Sequence, residues 1–433
     1  MKSTEHHWVV KEPFHESIDA VSTKPHQIVL LDEGAASLAY RLNLIAQAQS
    51  SIELEFFIYK LDRSSRLVAQ ALAKKARSGV DVKLLVDFSF TVLELVPQYI
   101  KSLQQAGVAI KYYNTSSVVR FFTVQHRTHR KIMVVDDTTA IIDWRNIADD
   151  YFDLSDQDNF LDSDIAITGE IVAAMRESFD LYWSSPLALD PKDLPPADEP
   201  TEKVADLLDE TAADRETGVI LAAIDLQQLP QSTCNNIQFV TDYPGSSVNY
   251  RKVFRAIGLV LERATTRVLA ENPYFIVRGD GAKLIRRATE RGVKVSVLTN
   301  SLGSTDAYYT VAAAYPQLKP LAQSHFFLYA YTGAPLPDYD SIPNRAPHWG
   351  IHAKRAVIDD KIALVGTYNL DPRSANLNAE LMVACYDSED LVRQLEASMQ
   401  ARMTQAAVVI SGEDVNTAAL VGDAHWWQIT KMF

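Results

Sequence analysis

The strongest constraint on this 433-residue chain is an internal repeat. Residues 128–146 read THRKIMVVDDTTAIIDWRN, and residues 351–369 read IHAKRAVIDDKIALVGTYN. At one fixed offset and without a gap, His129 falls on His352, Lys131 on Lys354, Asp136 on Asp359, Asp137 on Asp360 and Asn146 on Asn369. A single His-x-Lys carries almost no information. The same spacing of His, Lys, Asp and Asn occurring twice does. The text before each copy repeats more loosely: SIELEFFIYK, RLVAQALAKKARSG and VDVKLLVD in one half, TTRVLAENPYFIV, GAKLIRRATERG and VKVSVLTN in the other. Helical periodicity stopped by Gly79 or Gly292, followed by an apolar β-rich run, predicts β–α–β and then a hairpin carrying the His-Lys pair. That alternation predicts an α/β fold of two similar halves, each a mixed sheet flanked by helices.

The halves are expected over residues 28–185 and 236–433, the second including a C-terminal tail, with residues 1–27 as an N-terminal extension. Residues 186–235 begin with five prolines and a run of carboxylates, PLALDPKDLPPADEPTEKVADLLDE, and read as an acidic, solvated connector.

Side chains two apart on a strand share a face. His129 and Lys131 are therefore expected to project together with Arg130 opposite, and His352 and Lys354 together with Ala353 opposite. Two such pairs face to face would place two imidazoles and two ammonium groups in one cleft. That set suits a phosphodiester. The lysines hold the non-bridging oxygens, one neutral imidazole attacks phosphorus, and the other, protonated, gives a proton to the leaving oxygen.

The net charge of −13 weighs against a protein that coats nucleic acid, while leaving a locally basic site open. Two cysteines, Cys234 and Cys385, exclude a disulfide framework and modestly favour a reducing compartment. The sequence shows no signal-type segment and no apolar run of membrane-spanning length. A lipid substrate would have to be reached from the bilayer surface.

The paired motifs resemble the HxKxxxxD motifs of the phospholipase D superfamily. The flanks RNIADDYF, DSDIAITG, PYFIV, TNSLGSTD and GTYNLDPRSANLNAE are most similar to soluble bacterial cardiolipin synthases. The resemblance implies a duplicated fold with one shared active site, phosphatidyl transfer through a phosphohistidine, phospholipid substrates at a membrane surface, and no nucleic acid, cofactor or metal. It also implies a cytoplasmic, peripheral membrane location. Hydrolysis to phosphatidic acid is the alternative; a nuclease and a silenced lipid-binding relic are further ones.

By the same resemblance His129 is the nucleophile, His352 the general acid and then base, and Lys131, Lys354, Asn146 and Asn369 the phosphate ligands. Asp136 and Asp359 complete the motifs, as turn residues or chemical ones. Glu380 in the second half and Asp164 in the first are the expected orienters of the imidazoles. His126, His348, Trp349, Arg373 and Ser374 are expected at the rim or in structural roles, His6 and His7 on the surface, and the tail HWWQITKMF as packing or a membrane anchor. One departure stands out. Asp143-Trp144 occupies the place of the small pair Gly366-Thr367, and so is expected to crowd and repel a bound phosphate.

Overall fold

The computed structural model describes residues 20–88, 97–115, 125–191, 208, 210–245, 251–336 and 348–421. Residues 192–207 of the expected connector, His6, His7 and the HWWQITKMF tail lie outside the described residues.

Each half holds one large sheet, and the two sheets have the same order. The first runs Ala109–Tyr113, Asp81–Asp87, Ser51–Phe56, Ile132–Val135, Thr139–Ile142, Asp164–Thr168 and His26–Leu31. The second runs Phe326–Tyr331, Lys294–Asn300, Arg267–Glu271, Arg355–Ile358, Ile362–Gly366, Leu381–Tyr386 and Asn236–Thr241. In each, the three strands of the β–α–β part pair in parallel and the remaining pairs are antiparallel. The chain is thus the duplicated α/β fold read from the repeat.

Alternation along the strands explains how the halves join. In the hairpin of the first half, Met133, Val135 and Ile141 face a core shared with the helices Gly34–Gln47 and Arg63–Arg77. Their neighbours Ile132, Val134 and Ile142 face the other way, into a core that also contains Ala353, Val357, Val365 and Val383 of the second half. The two sheets therefore pack through their inner faces, roofed by the helices Ile171–Trp183 and Glu389–Met403. Strands buried on both faces read as continuous apolar runs, as IMVV and TAII do.

Two features depart from the sequence reading. The segments expected as extension and connector are woven into the sheets. Ala20–Ser22 pairs with Asn236–Thr241 of the second sheet, while Gln231–Cys234 pairs with His26–Leu31 of the first. The connector also supplies the helix Ala212–Ala222, closed by a reciprocal Thr211–Asp214 cap and packed over the first half through Leu221. The second departure concerns Cys234 and Cys385, which form a disulfide. The bond ties the exchanged strand of the first sheet to a central strand of the second. The count of two cysteines excluded a framework but not this single bond, and the ground for expecting a reducing compartment is removed.

Asp143-Trp144 belongs to this interface and does not crowd the cleft. Trp144 is fully buried in the core between the halves, its indole N–H donating to the Gly366 carbonyl of the other half. Asp143 is buried against the Arg41 guanidinium. The expected obstruction is overturned: Trp144 faces the inter-sheet core and Asp143 faces Arg41 of the helix Gly34–Gln47, so neither presses on a phosphate. Replacing Trp144 with alanine should cost about 3–5 kcal/mol, as for other large buried aromatics. Urea or thermal unfolding measures this; a variant as stable as the parent would contradict the assignment of Trp144 to the core.

Candidate functional site

The segments preceding the two hairpins run antiparallel to nothing in their own sheet. Each instead docks on the other half. The His129 N–H donates to Ala379 O, and the His352 N–H donates to Leu161 O, both at 2.9 Å. These contacts bring each histidine beside a carboxylate of the opposite half. His129 Nδ1 lies 3.0 Å from Glu380 Oε2, and His352 Nδ1 lies 2.7 Å from Asp162 Oδ2. Thr367 O is a second neighbour of His129 Nδ1, at 3.1 Å. All these neighbours are acceptors, so each Nδ1 carries the proton and each Nε2 presents its lone pair.

The carboxylates are themselves held. Glu380 accepts from the Ser374 hydroxyl at 2.6 Å and from the Thr367 hydroxyl, and its N–H donates to Asp242 at 2.9 Å. The Asp162 carbonyl accepts from Arg402, which also pairs with Glu271 and Asp32. Aromatic rings wall the imidazoles: Phe57 edge-on to His129, and Tyr151 and Phe160 against His352.

Burial sets the electrostatics. It pushes His129 down to about 4, partly opposed by Glu380, and His352 down to about 3, with Lys354 adding to the fall. Both rings are neutral at pH 7 in the empty site. Burial also lowers Lys131 to about 7, with Lys354 contributing, and Lys354 to about 8. Burial alone would raise Asp162, but His352, Lys354 and Arg145 bring it down to about 2. The site is thus a cluster of bases whose charged forms burial disfavours, and an entering anion would favour them.

Each lysine donates to the carbonyl of its own motif histidine, Lys131 Nζ to His129 O at 2.9 Å and Lys354 Nζ to His352 O at 2.5 Å, and Lys354 Nζ also lies 3.2 and 3.3 Å from Nε2 and Nδ1 of His352. Asn146 accepts from the Ile58 N–H, while the buried Asn369 Oδ1 has no hydrogen-bond partner.

Three expected residues are placed elsewhere. Asp164 orients no imidazole; its carboxylate lies among Ser37, Arg41 and Arg145, 2.5 Å from Arg145 Nη1. Asp162, which sequence reading passed over, takes the place beside a ring. The signal lay in the register: Ile142 pairs with Ile165 and Val365 with Val383, and three residues before each partner stand Asp162 and Glu380. Asp136 and Asp359, the last motif residues, sit in hairpin turns at the opposite end of the strand from the histidines. With φ of 52° and 51°, they accept from the backbone N–H groups that open the neighbouring strand, Ser50 and Ser51 or Thr265 to Arg267. Aspartate tolerates that left-handed conformation, and the side chain pins two strands together. Their place is structural.

Of the rim candidates, His126 is half-buried with Nδ1 3.2 Å from Leu377 O. Arg373 is exposed and bonds Gln125, and Trp349 packs in a core cluster.

A duplicated α/β frame closing one site between its halves defines a phospholipase D superfamily enzyme. Residues 42–183 and 259–403 match the family model described as cardiolipin synthase, PLD-like domain, and the chain belongs to that family. It is 28% identical to an uncharacterized protein of Helicobacter pylori over 87% of this chain and 79% of that one. It is 27% identical to cardiolipin synthase A of Pseudomonas putida, covering 90% and 71%, and 24% identical to cardiolipin synthase C of Escherichia coli, covering 86% of each. The fold is that of a phosphatidylserine synthase from Haemophilus influenzae, with a TM-score of 0.64 at 15% identity over 93% of this chain and 92% of that one.

The crossed pairing predicts unequal effects for the two neighbouring aspartates. Asp162→Asn removes the acceptor that fixes the His352 tautomer and should lower kcat by about 10²–10⁴ with the fold intact. Asp164→Asn should act chiefly on thermal stability. Steady-state kinetics with melting curves on both variants checks this, and equal kinetic losses would contradict it.

Proposed function

We propose that the protein is a phosphatidyltransferase that makes cardiolipin from phosphatidylglycerol and a second phospholipid, through a phosphohistidine on His129. The observation that carries the reading is the pair of imidazoles, each with Nδ1 on a carboxylate of the opposite half and Nε2 left for chemistry. The phosphodiester enters between Lys131 and Lys354, whose charge its oxygens complement. Asn369, with its unpartnered oxygen, and Asn146 stand in the same motif as further headgroup contacts.

His129 Nε2 attacks phosphorus, the P–O bond to the leaving alcohol breaks, and that oxygen takes a proton from His352. A hydroxyl of the acceptor lipid then gives its proton to His352 and attacks the phosphohistidine, releasing His129. The assignment of roles follows the resemblance to related enzymes. Lys354 Nζ lies 3.2 Å from Nε2 and 3.3 Å from Nδ1 of His352, close enough to exchange a proton with that ring. His129 has no such lysine contact at Nε2 among the described residues. A neutral His129 suits attack, and entry of an anionic phosphate beside His352 raises the affinity of that ring for a proton.

Neither Asp143 nor Trp144 faces the cleft, so the reading as a silenced relic loses the feature it rested on. No helix among the described residues is long and apolar enough to cross a membrane. The lipid is reached, on this proposal, by a peripheral enzyme at the bilayer surface.

The test is to trap the intermediate and to follow its partition. With His352→Ala and a phosphodiester carrying a good leaving group, phosphate should accumulate on His129, located by peptide mass spectrometry. In the parent protein, raising phosphatidylglycerol should raise cardiolipin at the expense of phosphatidic acid. In the parent protein, label trapped on His352 alone would reverse the roles, and phosphatidic acid as sole product at every acceptor concentration would establish hydrolysis.

A further inference from the structure

The duplication exposes a difference between the halves away from the imidazoles. In the first half the helices Gly34–Gln47 and Arg63–Arg77 are covered by the connector helix Ala212–Ala222. Leu221, Ile224, Leu226 and Leu229 pack onto that half's core. The matching helices of the second half are Lys252–Arg263 and Asp280–Glu290. Among the described residues no connector-like helix lies across them; a cavity of about 750 Å³ opens there instead.

Two glycines further distinguish these helices from those of the first half. Both first helices end at an alanine, Ala48 or Ala264, and six residues earlier the first half has Leu42 where the second has Gly258. Both second helices lead to a glycine, Gly79 or Gly292, and eleven residues earlier the first half has the buried Val68 where the second has Gly281. Leu284 packs against Gly258 and Val277 against Gly281, where the first half has the larger side chains.

The cavity is apolar within and cationic at its edge. Phe254, Ile257, Leu261, Val277 and Leu284 line it, and a further space of about 120 Å³ continues inward to Ala356, Ile358 and Lys354. Arg251, Arg255 and Arg278 stand around it. Arg251 is buried and donates to the carbonyls of Tyr243, Gly245 and Leu377, so the exposed charge is that of Arg255 and Arg278. The acids of the rim are engaged: Asp280 pairs with Lys283, and Asp371 caps the helix that follows it. An apolar cleft of this volume with a few cations at its mouth fits an anionic amphiphile.

We propose that this cavity holds one acyl chain of an anionic phospholipid, with Arg255 and Arg278 meeting the headgroup. The proposal rests on the phosphatidyltransferase reading for its choice of lipid. The Lys354 stem forms part of the inner wall, so a seated chain bears on the strand that carries a reactive lysine.

The test uses phosphatidylglycerol with a photoreactive diazirine in its acyl chain, presented in mixed micelles to the full chain. Crosslinks should fall on residues 252–263 and 280–290. Leu284→Trp, and independently Ile257→Trp on the facing helix, should reduce them roughly tenfold, the loss expected when about 1.4 kcal/mol of apolar contact is removed. Turnover of a short water-soluble phosphodiester should stay unchanged in both, which also reports that they fold. Arg255→Ser with Arg278→Ser should weaken labelling by phosphatidylglycerol more than by a phosphatidylcholine probe. Labelling elsewhere, or labelling that survives both filling variants, overturns the proposal and leaves the cavity to a protein segment. Failure of the functional reading shows separately, as no turnover of any phosphodiester, since labelling does not require catalysis.

Discussion

The site depends on one arrangement: each histidine is held by a carboxylate that belongs to the other half. Glu380 reaches His129 and Asp162 reaches His352, so neither half contains a complete imidazole–carboxylate pair. The rest of the fold keeps these two distances short. The sheets face each other through a common apolar core, each half lends an edge strand to the other, and a disulfide crosses between them. Buried ion pairs of Asp32 with Arg355 and Arg402 lock the segment bearing Asp162 against the second half. Leaving such a charge unpaired would be costly, so the network fixes geometry as well as contributing attraction.

A chain with net charge −13 thus contains a pocket rich in bases. Two lysines and two imidazoles share one buried space, and burial drives the protonation of all four down. On the proposed reading a bound phosphodiester reverses that pressure, so that binding and activation are the same electrostatic event.

The duplicated architecture was legible because a gapless repeat of 19 residues can be matched by eye. The two histidines and two lysines of the candidate site followed from it. What escaped was whatever depends on contacts between halves. Asp162 lost to Asp164 because both lie on the same side of DSD, and only the strand register separates them. Asp143-Trp144 read as an obstruction because the sequence does not say that Trp144 turns to a second sheet and Asp143 to Arg41. The exchanged strands Ala20–Ser22 and Gln231–Cys234 are too short for periodicity to identify, and their partners lie in the opposite half. Two cysteines 151 residues apart gave no reason to expect a bond until both sheets were in place.

The central claim is that the two halves orient each other's histidines, and histidine nitrogen NMR tests it most directly. In protein carrying 15N-histidine, His129 and His352 should both show the tautomer protonated at Nδ1. Glu380→Gln should then shift the His129 resonances and leave those of His352 in place. A shift confined to His352, or no shift of His129, would mean that each half completes its own pair, and the crossed site would be wrong.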